Sequence, residues 1–127
     1  MKNGFEILQE EMLKERAEAL GHAGSSLSAA LQKLREIASG IDCKLESFKN
    51  TLRLMPGDGD QPVSFRKEAI REINREIEKY NRAREYAELR YYYLIVIREA
   101  SGFRRHKQVE KTYRIPSRMR YLAEKGF

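Results

Sequence analysis

An all-α fold, with two long helices paired as an antiparallel, coiled-coil-like hairpin, is what this sequence predicts, and three observations carry the expectation. Apolar residues recur every seven positions from Leu13 to Phe48, a second series with the same 3-4 spacing runs from Ile70 to Leu94, and the one dense cluster of turn-forming residues lies between them. The composition agrees. No Trp, 3 Pro and 8 Gly among 127 residues, with 35% charged, favour long helices over sandwiches or barrels and imply much surface for little core.

Helix 1 is expected over about 5–53. Its seam reads Leu13, Leu20, Leu27, Leu34, Ile41 and Phe48, with companions four residues later at Ala17, Gly24, Leu31, Ala38, Leu45 and Leu52. Gly21, Gly24 and Ser39-Gly40 each read locally as a helix stop, since a helix-interior Gly costs about 1 kcal/mol relative to Ala. Phase overrides them, because a loop between separate helices has no reason to preserve the seven-residue register. Residues 54–63, Leu-Met-Pro-Gly-Asp-Gly-Asp-Gln-Pro-Val, form the connecting loop.

Helix 2 is expected over about 64–103, with Ser64 as its cap and a seam at Ile70, Ile73, Ile77, Tyr80, Arg84, Ala87, Tyr91 and Leu94. The Tyr91–Ile97 run has strand propensity but keeps the helical phase, so it is assigned to the helix. Closing the loop sets residue i across from about residue 117 − i, at about 1.5 Å of rise per residue. Ala17, Gly21, Ala23 and Gly24 then face Tyr91–Phe103, as holes for aromatic knobs. Residues 1–104 form the hairpin. Residues 105–127 form a basic tail in which Pro116 stops any preceding helix and Ser117 caps a short one over Arg118–Lys125.

A second apolar stripe lies opposite the seam of helix 2, at Tyr86, Leu89, Tyr93, Val96, Ile97, Ala100 and Phe103. One hairpin cannot bury both faces. A homodimer forming a four-helix bundle is the favoured solution, with the terminal segments folding back over the stripe as the other.

The charge is uneven. Residues 1–62 carry 8 basic against 10 acidic groups, and residues 63–127 carry 17 against 9, so the net +6 is C-terminal. Arg104, Arg105, Lys107, Lys111, Arg114, Arg118 and Arg120, interleaved with Phe103, Tyr113 and Tyr121, could neutralise phosphates and stack on bases. Docking of the tail is favoured over nucleic-acid binding: Phe103, Tyr113, Ile115, Met119 and Leu122 would anchor it, and its arginines would pair with Glu6, Glu10, Glu11, Glu15 and Glu18 at the start of helix 1.

Catalytic constellations are nearly absent, so no enzyme, cofactor or metal is expected. His22 and His106 lack the spacing of metal ligands on one helical face, although hairpin geometry brings them to the same end, where Glu15 or Glu18 could complete a site. Gly57-Asp58-Gly59-Asp60 lacks the Lys-Ser/Thr of a phosphate loop, and Asp58 and Asp60 lack the bidentate Glu of a calcium loop. Cys43, the only cysteine, falls at an outward position and excludes a disulfide scaffold. Glu10 with Glu11 and Glu76 with Glu78 read as solvated faces. Tyr91–Ile97 is the longest uncharged apolar run and too short to span a bilayer, and the first residues lead into an acidic segment rather than a signal peptide, so a cytoplasmic protein without membrane partners is expected. In size and long heptad helices the chain resembles bacterial export chaperones and coiled-coil adaptors, a likeness of shape with no motif shared residue by residue. The functional expectation is a protein-interaction module, with a nucleic-acid accessory protein as the alternative.

Overall fold

The structure is a computed structural model that describes residues 1–55 and 63–123. It contains α1 (Gly4–Leu54), α2 (Val63–Ala100) and α3 (Lys107–Thr112), and no strand among the described residues. The two long helices pack against each other. α1 runs unbroken through Gly21, Gly24 and Gly40, and α2 continues through the Tyr91–Ile97 run, as the hydrophobic phase requires. Most of the expected loop, with Asp58 and Asp60, falls on 56–62 and lies outside the described residues.

Local signals set the ends. Asn3 caps α1: its side-chain Oδ1 accepts the Glu6 N–H at 2.8 Å, and its carbonyl accepts from Ile7 at 3.1 Å. Ser64 sits inside the first turn of α2 rather than before it. α2 stops at Ala100 and not at Phe103, because Gly102 takes a φ of +97° and closes the end: its N–H donates to Glu99 O at 3.0 Å and Phe103 N–H to Arg98 O at 2.9 Å. That left-handed residue turns Phe103 out of the helical phase.

The chain divides into two compact units. One comprises Gln32–Glu85 and the chain from Pro116 on; the other comprises Met1–Leu31 and Tyr86–Ile115. In the first, Leu34, Ile41 and Phe48 of α1 are buried with Ile70, Ile73, Ile77 and Tyr80 of α2, so the predicted seams form this core. Each such side chain contributes roughly 1.5–3 kcal/mol on leaving water. The Phe48 and Phe65 rings lie 6.0 Å apart, and Lys44 Nζ reaches Glu72 at 3.1 Å and Glu76 at 3.7 Å, which sets α1 and α2 antiparallel near the expected register.

In the other unit, Ala23, Leu27, Ala30 and Leu31 of α1 are buried, as are Ala87 and Leu94 of α2 and Val109 of α3. The seam begins at Leu20: Leu13 is 63% exposed, Ala17 is exposed, and every residue from 1 to 19 is open to solvent. The knob-and-hole expectation is corrected in its partner. A Cβ on Gly24 would lie 3.3 Å from the Tyr113 hydroxyl, whereas Gly21 and Gly40 have nothing within 4 Å. At Gly24 the knob is Tyr113, from the segment after α3, and not a residue of Tyr91–Phe103, because the chain beyond α3 brings that phenol back to α1.

The C-terminal segment corrects two further expectations. α3 occupies the stretch from Lys107 to Thr112, and residues 113–123 contain no helix, so the expected helix over Arg118–Lys125 is absent as far as it can be followed; residues 124 and 125 lie outside the described residues. Backbone groups that a helix would pair internally are directed at α2 instead.

Candidate protein-interaction surfaces

The second apolar stripe of α2 divides in two. Tyr86, Leu89, Tyr93 and Val96 are each between 42% and 49% exposed and follow i, i+3, i+7, i+10 spacing, so they form one open face. Arg90 holds that face together. Its Nε donates to the Tyr86 hydroxyl at 2.9 Å, and its guanidinium carbon lies 5.1 Å from the Tyr86 ring centre and 5.9 Å from that of Tyr93. Ile97 and Ala100 turn instead towards α1, lining a shallow hollow of about 290 Å³ with Met12, Glu15, Arg16 and Ala19. Phe103 lies beyond the helix end under the Arg98 guanidinium, 4.7 Å from ring centre to carbon.

The first turns of α1 carry an apolar face that the sequence reading passed over. Phe5, Leu8 and Met12 are 69%, 59% and 52% exposed at i, i+3, i+7 spacing, in a stretch where every residue is exposed. Helical periodicity shows which residues share a face. It does not show whether anything covers that face.

A different surface lies in the unit containing Gln32–Glu85. Asn81, 3% exposed, donates from Nδ2 to Met119 O at 3.1 Å and accepts the Met119 N–H on Oδ1 at 2.9 Å. Asn74 does the same for Leu122, at 3.0 and 2.7 Å. Arg84 Nε donates to Pro116 O at 2.6 Å, and Arg118 lies 3.8 Å from Glu85. Beyond Tyr121 the same helix face lines a polar hollow of about 740 Å³ with Lys67, Glu68, Arg71, Asn74, Arg75 and Glu78. The only sequence signal for this surface is two asparagines seven residues apart, hence at one heptad position.

The tail therefore docks, but on α2. Among the described residues no ion pair joins its arginines to Glu6, Glu10, Glu11, Glu15 or Glu18, and Glu10 pairs with Lys2. Arg104, Arg105, Lys107, Lys111, Arg114, Arg118 and Arg120 are all exposed. His106 is held on both ring nitrogens: Arg98 Nε donates to Nδ1 at 3.3 Å, and Nε2 lies 3.2 Å from Glu99 Oε1, the arrangement of the Nε2–H tautomer. His22 is exposed on α1, and no cluster of three His, Cys, Asp or Glu suited to a metal occurs among the described residues. Cys43 is exposed on the rim of a hollow of about 310 Å³ beside Phe48 and Phe65.

Among the described residues three groups are shifted in their titration. The Lys79 hydrogen bond, aided by Lys44, holds the Glu76 carboxyl below its usual value against the opposing effect of partial burial. Burial pushes the Tyr80 phenol up against the pull of Arg84; it pushes Tyr91 up as well, with help from Glu110. All three belong to the packing of helices and none faces an enclosed cavity with convergent polar groups. No helix among the described residues is long and apolar enough to cross a membrane. Comparison with protein-family models, with curated proteins and with solved structures finds no match to this chain.

Proposed function

We propose that this chain is a non-enzymatic helical protein-interaction module whose open α2 face pairs with the same face of a second copy, giving a four-helix bundle. The observation that carries the reading is the exposed set Tyr86, Leu89, Tyr93 and Val96, gathered on one helix face around Arg90. Tyr and Arg are the residue types that dominate binding energy at protein interfaces, and a contiguous aromatic face of this kind is seldom left open by a monomer. A twofold axis placed between Arg90 and Tyr93 would bring each Arg90 to the Tyr93 of the other copy. Sedimentation equilibrium at micromolar concentration tests it. The wild type should sediment as a dimer and Tyr93→Glu as a monomer; a wild-type monomer indistinguishable from the variant would refute the pairing.

A second reading, nucleic-acid binding by the basic C-terminal end, is favoured by one observation: Arg104, Arg105, Lys107 and Lys111 are exposed together, with no carboxylate partner among the described residues. Filter binding of DNA and RNA across a salt series decides it. Affinity falling steeply with salt, and weakened by joint replacement of Arg104, Arg105 and Lys107, would support the reading; salt-independent or undetectable binding would end it.

A further inference from the structure

Seven residues of α-helix rise about 10.5 Å, and three residues of extended chain span about 10 Å. Asn74 and Asn81 of α2 are seven apart, and the residues they hold, Met119 and Leu122, are three apart in a segment without helix. The match of these two repeats lets both carboxamides address one extended segment, running antiparallel to α2. Each amide closes a two-bond ring with the N–H and C=O of a single residue, so all four bonds go to backbone and none to a side chain of the docked segment. What the clamps recognise is extended chain with free main-chain groups at every third residue. Selection by side chain comes from the surroundings: Glu85 lies beside Arg118, one residue before the first clamped position, and the clamped Met119 and Leu122 are themselves half-buried.

We propose that this face of α2 is a peptide-binding groove for partner proteins, taking an extended segment with an arginine followed by apolar residues at the next and fourth positions, and that residues 116–122 occupy it in cis until such a segment displaces them. Exchange is chemically even, because hydrogen bonds to a backbone are made equally well by any backbone of that conformation. The groove lies in a different unit from the Tyr86–Val96 face, so it stands or falls independently of self-association.

The test uses the full chain carrying Met119→Pro and Leu122→Pro, which removes both clamped N–H donors and leaves every groove residue in place. The probe is a fluorescein-labelled peptide with the sequence of residues 114–123, read by anisotropy. The proline variant should bind it at least tenfold more tightly than the wild type does, and adding Asn74→Ala and Asn81→Ala should abolish binding. Equal binding by wild type and proline variant, or binding that survives the asparagine substitutions, would overturn the proposal. Circular dichroism checks that the variant keeps its helix. If it does not, amide exchange at Met119 and Leu122 of the wild type decides: acceleration by excess peptide supports displacement, and no change overturns it. A wild-type dimer that Asn74→Ala/Asn81→Ala dissolves would make the occupant a second copy and overturn the assignment to a separate partner.

Discussion

Three glycines inside α1 provide a controlled experiment on packing. Replacing a helix-interior Gly by Ala gains roughly 0.5–1 kcal/mol from backbone entropy wherever the added methyl meets no obstacle. Gly21 and Gly40 have nothing within 4 Å of the new Cβ, so each Ala variant should realise the whole gain. At Gly24 the methyl would sit 3.3 Å from the Tyr113 hydroxyl, and contact this tight forces the phenol to move by a few tenths of an ångström. The hydroxyl is the tip of a side chain and can yield, so Gly24→Ala should still stabilise, but by about 0.5 kcal/mol less than its neighbours, a typical coupling between residues in contact. In a Tyr113→Phe background the obstacle is gone and the full gain should return. Urea denaturation of the four proteins in the cycle measures the coupling directly. Equal stabilisation at Gly21 and Gly24, or zero coupling to Tyr113, would refute the account of Gly24 as the hole for that ring.

Leu13 and Leu27 occupy the same heptad position, yet one is 63% exposed and the other fully buried. Leu27→Ala should cost about 2–5 kcal/mol and Leu13→Ala less than about 0.5 kcal/mol in urea denaturation of the monomer; similar costs would mean that α1 is covered from its first turns. Tyr80 and Tyr91 titrate above the usual phenol range when folded, so the stability they contribute is fully present below pH about 10 and is lost as pH rises through their folded values. Stability followed by urea denaturation through that range should fall less for Tyr80→Phe than for wild type. Superimposable profiles would show that its burial does not govern alkaline unfolding.

Hydrophobic phase made the long helices legible, because a repeat of seven integrates over many residues and overrides single unfavourable ones such as Gly21 and Gly40. The same integration misled at the ends. Leu13 and Ala17 keep the phase of α1 although they are exposed, and Phe103 keeps the phase of α2 after Gly102 has turned the chain away. The tail's apolar residues suggested docking, but its site was hidden, since clamps that grip main-chain groups leave no trace in the side chains of the segment they hold. Asn74 and Asn81 carry that information, and an asparagine on a charged helix looks like any other solvated residue. The open face at Tyr86, Leu89, Tyr93 and Val96 was readable because it is defined by a pattern on one element, whereas Arg90's role within it depended on rotamers.

Both compact units are discontinuous in sequence: one joins residues 1–31 to 86–115, and the other joins 32–85 to the chain beyond 115. No single cut of the chain therefore releases either unit whole, and any truncation that reaches back past residue 115 damages both at once. The order of assembly is constrained in the same way. Residues 32–85 are contiguous, so of the pairings between α1 and α2 those of Leu34, Ile41 and Phe48 with Ile70, Ile73 and Ile77 close the shortest stretch of chain and carry the smallest closure entropy. Asn74 and Asn81 have their two-turn spacing only where α2 is wound, so the clamped segment finds both partners only on a formed helix. Its docking works as a latch on a completed helix, which ties the end of assembly to the correctness of its middle.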